Sequence, residues 1–164
     1  MENIINLIIK SLNGTNKELI VFIISLLPIL ELRGGLLAAS LLHLEFKKAF
    51  IVCIIGNIIP IPLVLLFIEK IFNKLENIKI TKKLVKKLKD KALSKREQID
   101  KFGYLGLLLF VGIPLPGTGA WTGSLLAILL GLNRKKSFIY IILGVILASI
   151  IMSIISYGIL GTII

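Results

Sequence analysis

Long uncharged stretches separated by short polar segments dominate the chain. A helix needs about 20 apolar residues to cross the hydrocarbon of a bilayer. Three stretches are long enough and carry no charge, and a fourth carries charge only at Glu31 and Arg33. The three uncharged stretches are residues 49–68, 102–132 and 137–164, and the fourth is residues 19–44.

Two of these stretches contain helix-breaking residues near their middle. In the first, Pro28 precedes the segment Glu31–Gly35. The second such stretch, residues 102–132, contains a cluster of prolines and glycines that is too dense for an unbroken helix. Irregular backbone at membrane depth persists only where protein or a water-filled cavity covers it. We therefore predict two re-entrant helical hairpins whose tips face the protein interior. The second cluster consists of Pro114, Pro116, Gly117, Gly119 and Gly123.

The two halves of the chain resemble each other when one is shifted by 88 positions. About 17 of the 41 residues from 18 to 58 are then identical without a gap. Apolar composition inflates such a figure, but it does not explain matched Pro, Gly, Lys-Lys and Phe residues. Each half therefore reads as a hairpin, a short basic turn and a spanning helix. The matched pairs include Pro28 with Pro116, Gly35 with Gly123, Lys47 and Lys48 with Lys135 and Lys136, Phe50 with Phe138, and Gly56 with Gly144.

Charge along the chain predicts the topology. The chain has a net charge of +11, and residues 70–101 contain 12 Lys or Arg against 4 Asp or Glu. A basic segment between apolar spans is typical of a cytoplasmic loop. Hairpin two then starts and ends inside, hairpin one opens outside, and the two repeats are inverted, as in many secondary transporters. The basic segment itself is either an amphipathic helix on anionic headgroups or a solvated pair of helices.

The sequence thus predicts an all-α integral membrane protein of the inner (plasma) membrane, crossing it several times. Residues 1–164 form a single membrane domain, with repeat 1 at 18–69 and repeat 2 at 102–164. A basic amphipathic cytoplasmic linker at 70–101 joins the repeats, and residues 1–17 form an N-terminal interfacial helix. A homodimer is compatible with so small a core.

Glu31 and Arg33 are the first candidate site residues, because a charge in the middle of an apolar stretch is costly and usually functional. Arg33 suits a phosphate or a carboxylate, since its planar guanidinium presents a fork of donors. Burial favours the neutral acid form of Glu31, so this residue is the candidate carrier of a coupled proton. The alternative is a structural latch, in which Arg33 pairs with Glu31 or binds hairpin carbonyls.

The second tip, IPLPGTGAWTG from residue 113 to residue 123, is the other half of the predicted site. If a half-helix starts near Ala120, its N-terminal amides point at an anion brought to the middle of the membrane. Tight helix packing through small residues is the alternative, with Trp121 as a core or interfacial aromatic. The predicted substrate-binding residues are Glu31, Arg33, Gly34, Gly35, Pro116, Gly117, Thr118, Gly119, Trp121, Thr122, Gly123 and Ser124.

Other classes of function fit the sequence poorly. The positive charge is concentrated in the linker, which argues against nucleic-acid binding. Cys53 is the single cysteine and His43 the single histidine, so no Cys-rich metal site forms and no cofactor is predicted. An intramembrane enzyme is disfavoured, because the chain has no HExxH motif, no GxSxG motif and no evident nucleophile.

The motifs ELRGG at 31–35 and PLPGTGAWTG at 114–123 resemble those of the small multidrug export protein family. That family is similar to the DedA superfamily, whose members have paired re-entrant hairpins, and several of which are linked to undecaprenyl phosphate recycling. The resemblance implies that Glu31, Arg33 and the loop at 116–123 belong to a substrate pathway. We therefore expect a transporter or flippase for an anionic amphipathic lipid such as a polyprenyl phosphate, with proton coupling. The alternatives are a multidrug exporter and a non-transporting membrane assembly factor.

Overall fold

The structure, a computed structural model, describes residues 16–76, 86, 90, 101–115 and 117–159. Within these ranges the regular secondary structure is helical throughout. The predicted N-terminal interfacial helix, apart from its last two residues, and most of the predicted linker lie outside the described residues. The helices are α1 (Lys17–Leu26), α2 (Glu31–Leu41), α3 (Phe46–Ile58), α4 (Pro60–Glu76), α5 (Tyr104–Gly112), α6 (Ala120–Leu129) and α7 (Arg134–Ser153), which continues as a π-helical segment, Ile154–Ile159.

Each stretch with a Pro and Gly cluster forms two short helices rather than one long one. Helices α1, α2, α5 and α6 have 10, 11, 9 and 10 residues. At 1.5 Å per residue each is about 15 Å long, roughly half the thickness of the hydrocarbon core. The breaks are residues 27–30, here called tip 1, and residues 113–119, here called tip 2.

Two helical segments are long and apolar enough to cross a membrane. Within the described residues they are Phe46–Ile68, with 23 residues, and Arg134–Gly158, with 25 residues, and the 18-residue window of each has a mean hydropathy of 2.8. The first contains a break at Ile59, after which Pro60 begins α4, as suits a residue without an N–H. Large apolar side chains cover the outer surface, including Ile29 at 79% and Ile154 at 62% exposure. Lipid is the solvent in which such a surface is stable.

The turns that follow the two hairpins are built alike. The N–H of Leu44 donates to the carbonyl of Ala39 at 2.9 Å, and the N–H of Leu132 donates to the carbonyl of Ala127 at 2.9 Å. These pairs are 88 positions apart, which is the offset found in the sequence. Each turn also has a residue in the left-handed region, which is His43 (φ 51°) in the first and Gly131 (φ 67°) in the second.

The packing contacts of α1 and α5, the first helices of the two hairpins, are related by an offset other than 88. A Cβ at Gly56 of α3 would lie 2.9 Å from the carbonyl oxygen of Phe22, and one at Gly144 of α7 would lie 2.8 Å from that of Leu108. The two glycines are 88 positions apart, but their partners on α1 and α5 are 86 apart. Tip 2 therefore carries extra residues relative to tip 1, and the ungapped alignment that pairs Pro28 with Pro116 does not extend into α1.

The end of α7 lies beside the start of α3. The Tyr157 hydroxyl donates to the carbonyl of Leu44 at 2.9 Å, and the Tyr157 ring packs edge-on against Phe46 with 5.3 Å between centroids. The Ser40 hydroxyl donates to the carbonyl of Ser156 at 2.7 Å. These contacts join the end of the second half of the chain to the first half.

Replacing Gly144 with Ala should destabilise the packing of α7 on α5. The new methyl group would overlap the Leu108 carbonyl oxygen, which is backbone and cannot move aside, so we expect a loss of about 1–3 kcal/mol in the free energy of unfolding. Thermal unfolding of the purified protein in detergent measures it. Gly158→Ala is the matched control, since the nearest atom to its Cβ would be 3.9 Å away. Equal stability of the two variants would contradict the predicted close packing.

Candidate functional site

Glu31, at the start of α2, binds the start of α6 in the other half of the chain. One carboxylate oxygen accepts the N–H of Ala120 at 3.1 Å and the other accepts the N–H of Trp121 at 3.1 Å. The first N–H groups of a helix have no partner within it, and the helix dipole favours negative charge there. Glu31 is only 5% exposed. The half-helix begins at Ala120, and the anion on its amides is a side chain of the protein itself.

Two unusual backbone conformations allow this contact. Glu31 has a φ of 52°, a left-handed conformation that costs a residue other than glycine about 1 kcal/mol or more. Gly119 has a φ of 138°, and a Cβ built on it would overlap the Glu31 carboxylate. Only glycine at this position both tolerates the backbone and leaves room for the carboxylate. Strain of this kind often occurs at functional sites.

Arg33 binds tip 2 from the same helix turn. Its guanidinium donates to the carbonyls of Leu115 and Ile113, the latter at 3.3 Å, and to the Thr118 hydroxyl oxygen at 2.8 Å. The Thr118 hydroxyl lies 3.1 Å from the Ile113 carbonyl and 2.8 Å from that of Leu115, within reach to donate to either. These carbonyls follow the end of α5 and also accept the backbone N–H groups of Leu115 and Thr118, so Arg33 adds a second donor to a turn that tip 2 already makes.

Trp121 makes the reciprocal contact, from hairpin two back to hairpin one. Its indole N–H donates to the carbonyl of Leu26, the last residue of α1, at 3.2 Å. Glu31, Arg33, Thr118, Gly119 and Trp121 are thus brought together where the two tips meet. We call this set of contacts the tip latch.

Glu31 and Arg33 have their polar partners on hairpin two rather than on each other. Within the described part of the chain, the ion pair shorter than 4.0 Å joins Lys48 and Glu18 at the surface, at 3.9 Å. The Glu31 carboxylate binds backbone amides and the Arg33 guanidinium binds carbonyls and a hydroxyl. Of the two forms of latch expected from the sequence, the contacts match the one in which Arg33 binds hairpin carbonyls.

The remaining predicted site residues are not part of the latch contacts. Ser124 donates its hydroxyl to the Ala120 carbonyl of its own helix at 2.6 Å. Gly117 is exposed, with a φ of 78°, and Thr122 is half-buried on α6. Pro116 lies outside the described residues. Two glycines lie where helices pack closely, and these are Gly35 against Ser25 and Cys53, and Gly123 against Val111, whereas Gly34 lies against Leu30 of tip 1.

A narrow interior gap lies beside the latch and has no room for a water molecule. Glu31 and Arg33 line it together with Asn57 of α3, Val111 of α5 and Val145 of α7. Asn57 is not among the site residues predicted from the sequence. The available signal was a lone amide side chain within an apolar helix, which is costly in a membrane without a function.

Gly119→Ala should break the latch. Gly103→Ala is the control, because Gly103 is also left-handed, with a φ of 56°, but has nothing within 4 Å of its Cβ position. Both variants incur backbone strain, whereas only Gly119→Ala displaces the Glu31 carboxylate and leaves two buried amides unpaired. We expect Gly119→Ala to lose about 2 kcal/mol more than Gly103→Ala in the free energy of unfolding.

Trp121 fluorescence reads out the same change, since the chain has one tryptophan. Displacing Glu31 should alter the emission of Trp121 in Gly119→Ala but not in Gly103→Ala. Identical spectra and stabilities in the two variants would show that Glu31 does not require the glycine.

Comparison with known proteins identifies the family. A search of curated proteins and a search of solved structures each found no match. The family model described as "Putative small multi-drug export protein" matches residues 31–151. The match begins at Glu31, includes Arg33 and tip 2, and covers most of the chain. The two long apolar helices agree with a membrane protein. The chain belongs to this family of membrane proteins.

Proposed function

We propose that the protein is a transporter that moves an anionic amphipathic molecule across the membrane, with the tip latch as its substrate site. The observation that carries this proposal is the Glu31 carboxylate on the amides of Ala120 and Trp121. A site that holds one anionic oxygen group with two N–H donors suits another such group. A phosphate or carboxylate of the substrate would replace Glu31 at the start of α6.

Arg33 supplies the second donor to the incoming anion. In the latched state its guanidinium binds neutral carbonyls of tip 2, and a carboxylate or phosphate is a stronger partner for it than a carbonyl. Displacement of Glu31 and recruitment of Arg33 therefore favour the same ligand. The latch opens because the substrate offers better partners to both halves of it.

An apolar groove beside the latch supports an amphipathic substrate. The groove runs along α5 to tip 2, and Thr118, which accepts a hydrogen bond from Arg33, lies at its end. An apolar chain in the groove would place its head group at Arg33. The groove is lined by Phe102, Leu109, Phe110, Ile113, Leu115 and Thr118.

Proton coupling follows from the role of Glu31. A protonated carboxyl group is a weaker acceptor for two backbone N–H groups than a carboxylate is. Proton uptake would therefore release the start of α6 and expose it to the anion. The proton and the anion would then cross the membrane together.

The membrane arrangement that we propose is a pair of inverted repeats with re-entrant hairpins. Three features support it, which are the short hairpin helices, the contact between the end of α7 and the start of α3, and the basic segment at 70–101. Hairpins that enter from opposite faces meet at their tips near the midplane, which gives a central site two alternative accesses. The charge of the segment at 70–101 supports a cytoplasmic position for this segment at the inner membrane.

Undecaprenyl phosphate is the anionic amphipath that the resemblance to the DedA superfamily implies. The second candidate function is export of small drug-like molecules, which the description of the matched family favours. In that case Glu31, once free of α6, would be the counter-charge of a cationic drug.

Arg33→Ala should reduce translocation of a fluorescent polyprenyl phosphate analogue in proteoliposomes at least about tenfold, since a charge-assisted contact contributes about 1.5–3 kcal/mol. Arg33→Lys should keep partial activity, because the charge remains but the planar fork is lost. Lys48→Ala removes an exposed positive charge far from the tips and is the control. Thermal unfolding checks that each variant is folded. Full translocation by folded Arg33→Ala protein would exclude this role.

Ligand-induced stabilisation separates the two candidate functions. A ligand that binds only the folded protein raises its stability by about 1.4 kcal/mol at ten times its Kd. We expect undecaprenyl phosphate to raise the Tm of the wild-type and Lys48→Ala proteins but not of Arg33→Ala. Stabilisation by cationic dyes alone, lost in Glu31→Gln, would instead support the drug exporter.

A further inference from the structure

Asn57 is a buried polar residue whose acceptor has no partner. The residue is 2% exposed and lies at the end of α3, two positions before the break at Ile59. Its amide oxygen, Oδ1, has no hydrogen-bond partner in the structure. A buried acceptor left in this way costs about 1–3 kcal/mol, so such groups usually have a role.

The partner of Asn57 has to come from the groups that line the interior gap. The gap cannot admit a water molecule, so solvent does not satisfy the oxygen. Arg33 and Glu31 are the titratable groups that line the gap, and Arg33 already donates to tip 2. A Glu31 carboxylate has no proton to donate, whereas a Glu31 carboxylic acid has one.

Among the described residues, the other helices around the gap contribute no titratable side chain to its lining. Val111 of α5, Ala120 of α6, and Val145 and Ala148 of α7 are apolar. Cys53, one turn before Asn57 on α3, packs against Gly35. Tyr157 donates to the carbonyl of Leu44, near the start of α3. Glu31 is therefore the group whose change of protonation the oxygen of Asn57 can detect.

We propose that Asn57 is the acceptor that receives Glu31 when Glu31 carries the coupled proton. A proton from the aqueous side binds the Glu31 carboxylate, its bonds from the Ala120 and Trp121 N–H groups break, and the new O–H donates to Asn57 Oδ1. Loss of the proton to the other side reverses each step. Asn57 thus acts through Glu31 as a positioning residue. The inference rests on the proposed proton-coupled function and adds the second residue of the proton site.

The repeat places this acceptor in the first half only. Val145 is 88 positions after Asn57 and lines the same gap. A related helix therefore presents an amide on one side of the gap and an apolar side chain on the other. The polar member belongs to the half that contains Glu31, so the carboxyl group has one destination rather than two.

The experiment follows Trp121 fluorescence against pH in purified, substrate-free protein in nanodiscs. Trp121 donates both its backbone N–H, to Glu31, and its indole N–H, to Leu26, so its emission reports the latch. Asn57→Val and Asn57→Thr are the paired variants, because they match in size and only Thr offers an acceptor oxygen. Val145→Ala controls for altered packing of the gap.

We expect wild-type emission to change as the pH falls, with a midpoint that Asn57→Val shifts lower by about one pH unit, the equivalent of one buried hydrogen bond. Asn57→Thr and Val145→Ala should keep the wild-type midpoint. Glu31→Gln should show the released emission at every pH, because its amide can donate to Asn57 as the protonated acid does. Adding Asn57→Val to Glu31→Gln should restore part of the latched emission.

An unchanged midpoint in Asn57→Val, an equal shift in Asn57→Thr, or a persistent pH transition in Glu31→Gln would overturn the proposal. If Asn57→Val does not fold, the pair Asn57→Ala and Asn57→Ser makes the same comparison in a smaller volume. The transport proposal fails separately. Absence of flux in proteoliposomes, together with the predicted midpoint shifts, would leave the proton site and remove the transporter.

Discussion

The buried carboxylate of Glu31 on the first two amides of α6 is the contact on which the site depends. An ion removed from water is stable only when hydrogen bonds replace its hydration, and here two backbone donors and a helix dipole do so. The contact satisfies two needs at once, because the start of a short helix within the fold also needs acceptors. It ties the first half of the chain to the second. The left-handed backbone of Glu31 and the missing side chain of Gly119 are the local conditions that allow it.

Arg33 and Trp121 repeat this exchange between the halves with other groups. Arg33 gives donors to carbonyls that follow α5, and Trp121 gives a donor to the carbonyl that ends α1. Each tip region therefore receives hydrogen bonds from side chains near the other tip, in addition to those made by its own backbone. In the proposed membrane arrangement, where water is absent, this condition permits irregular backbone at depth. In the proposed mechanism the same groups are reversible partners, which a substrate or a proton releases.

Apolar residues and small residues have separate tasks in the fold. The large apolar side chains that cover the outer surface suit a lipid solvent, and they do not decide how the helices pair. Helix pairing depends on glycines, such as Gly56 and Gly144, at which one helix lies against the backbone of another. Among the buried polar side chains, Glu31 binds the start of α6, and Asn57 lines the same gap as Glu31, whose protonation state changes in the proposed mechanism.

The sequence by itself determined the helical membrane class, the two broken stretches, the repeat with its offset of 88, and Glu31 and Arg33 as charges within an apolar stretch. These features are local or periodic, so hydropathy, helix breakers and self-comparison reveal them. Only the tertiary structure decided that Glu31 binds the amides of Ala120 and Trp121, that Arg33 binds tip 2, and that Asn57 borders the same gap. It also showed that α1 and α5 follow an offset of 86 and that Ser124 bonds within its own helix. The physical reason is that every residue has the same backbone donors and acceptors, so which of them meets a given side chain depends on how the two halves pack.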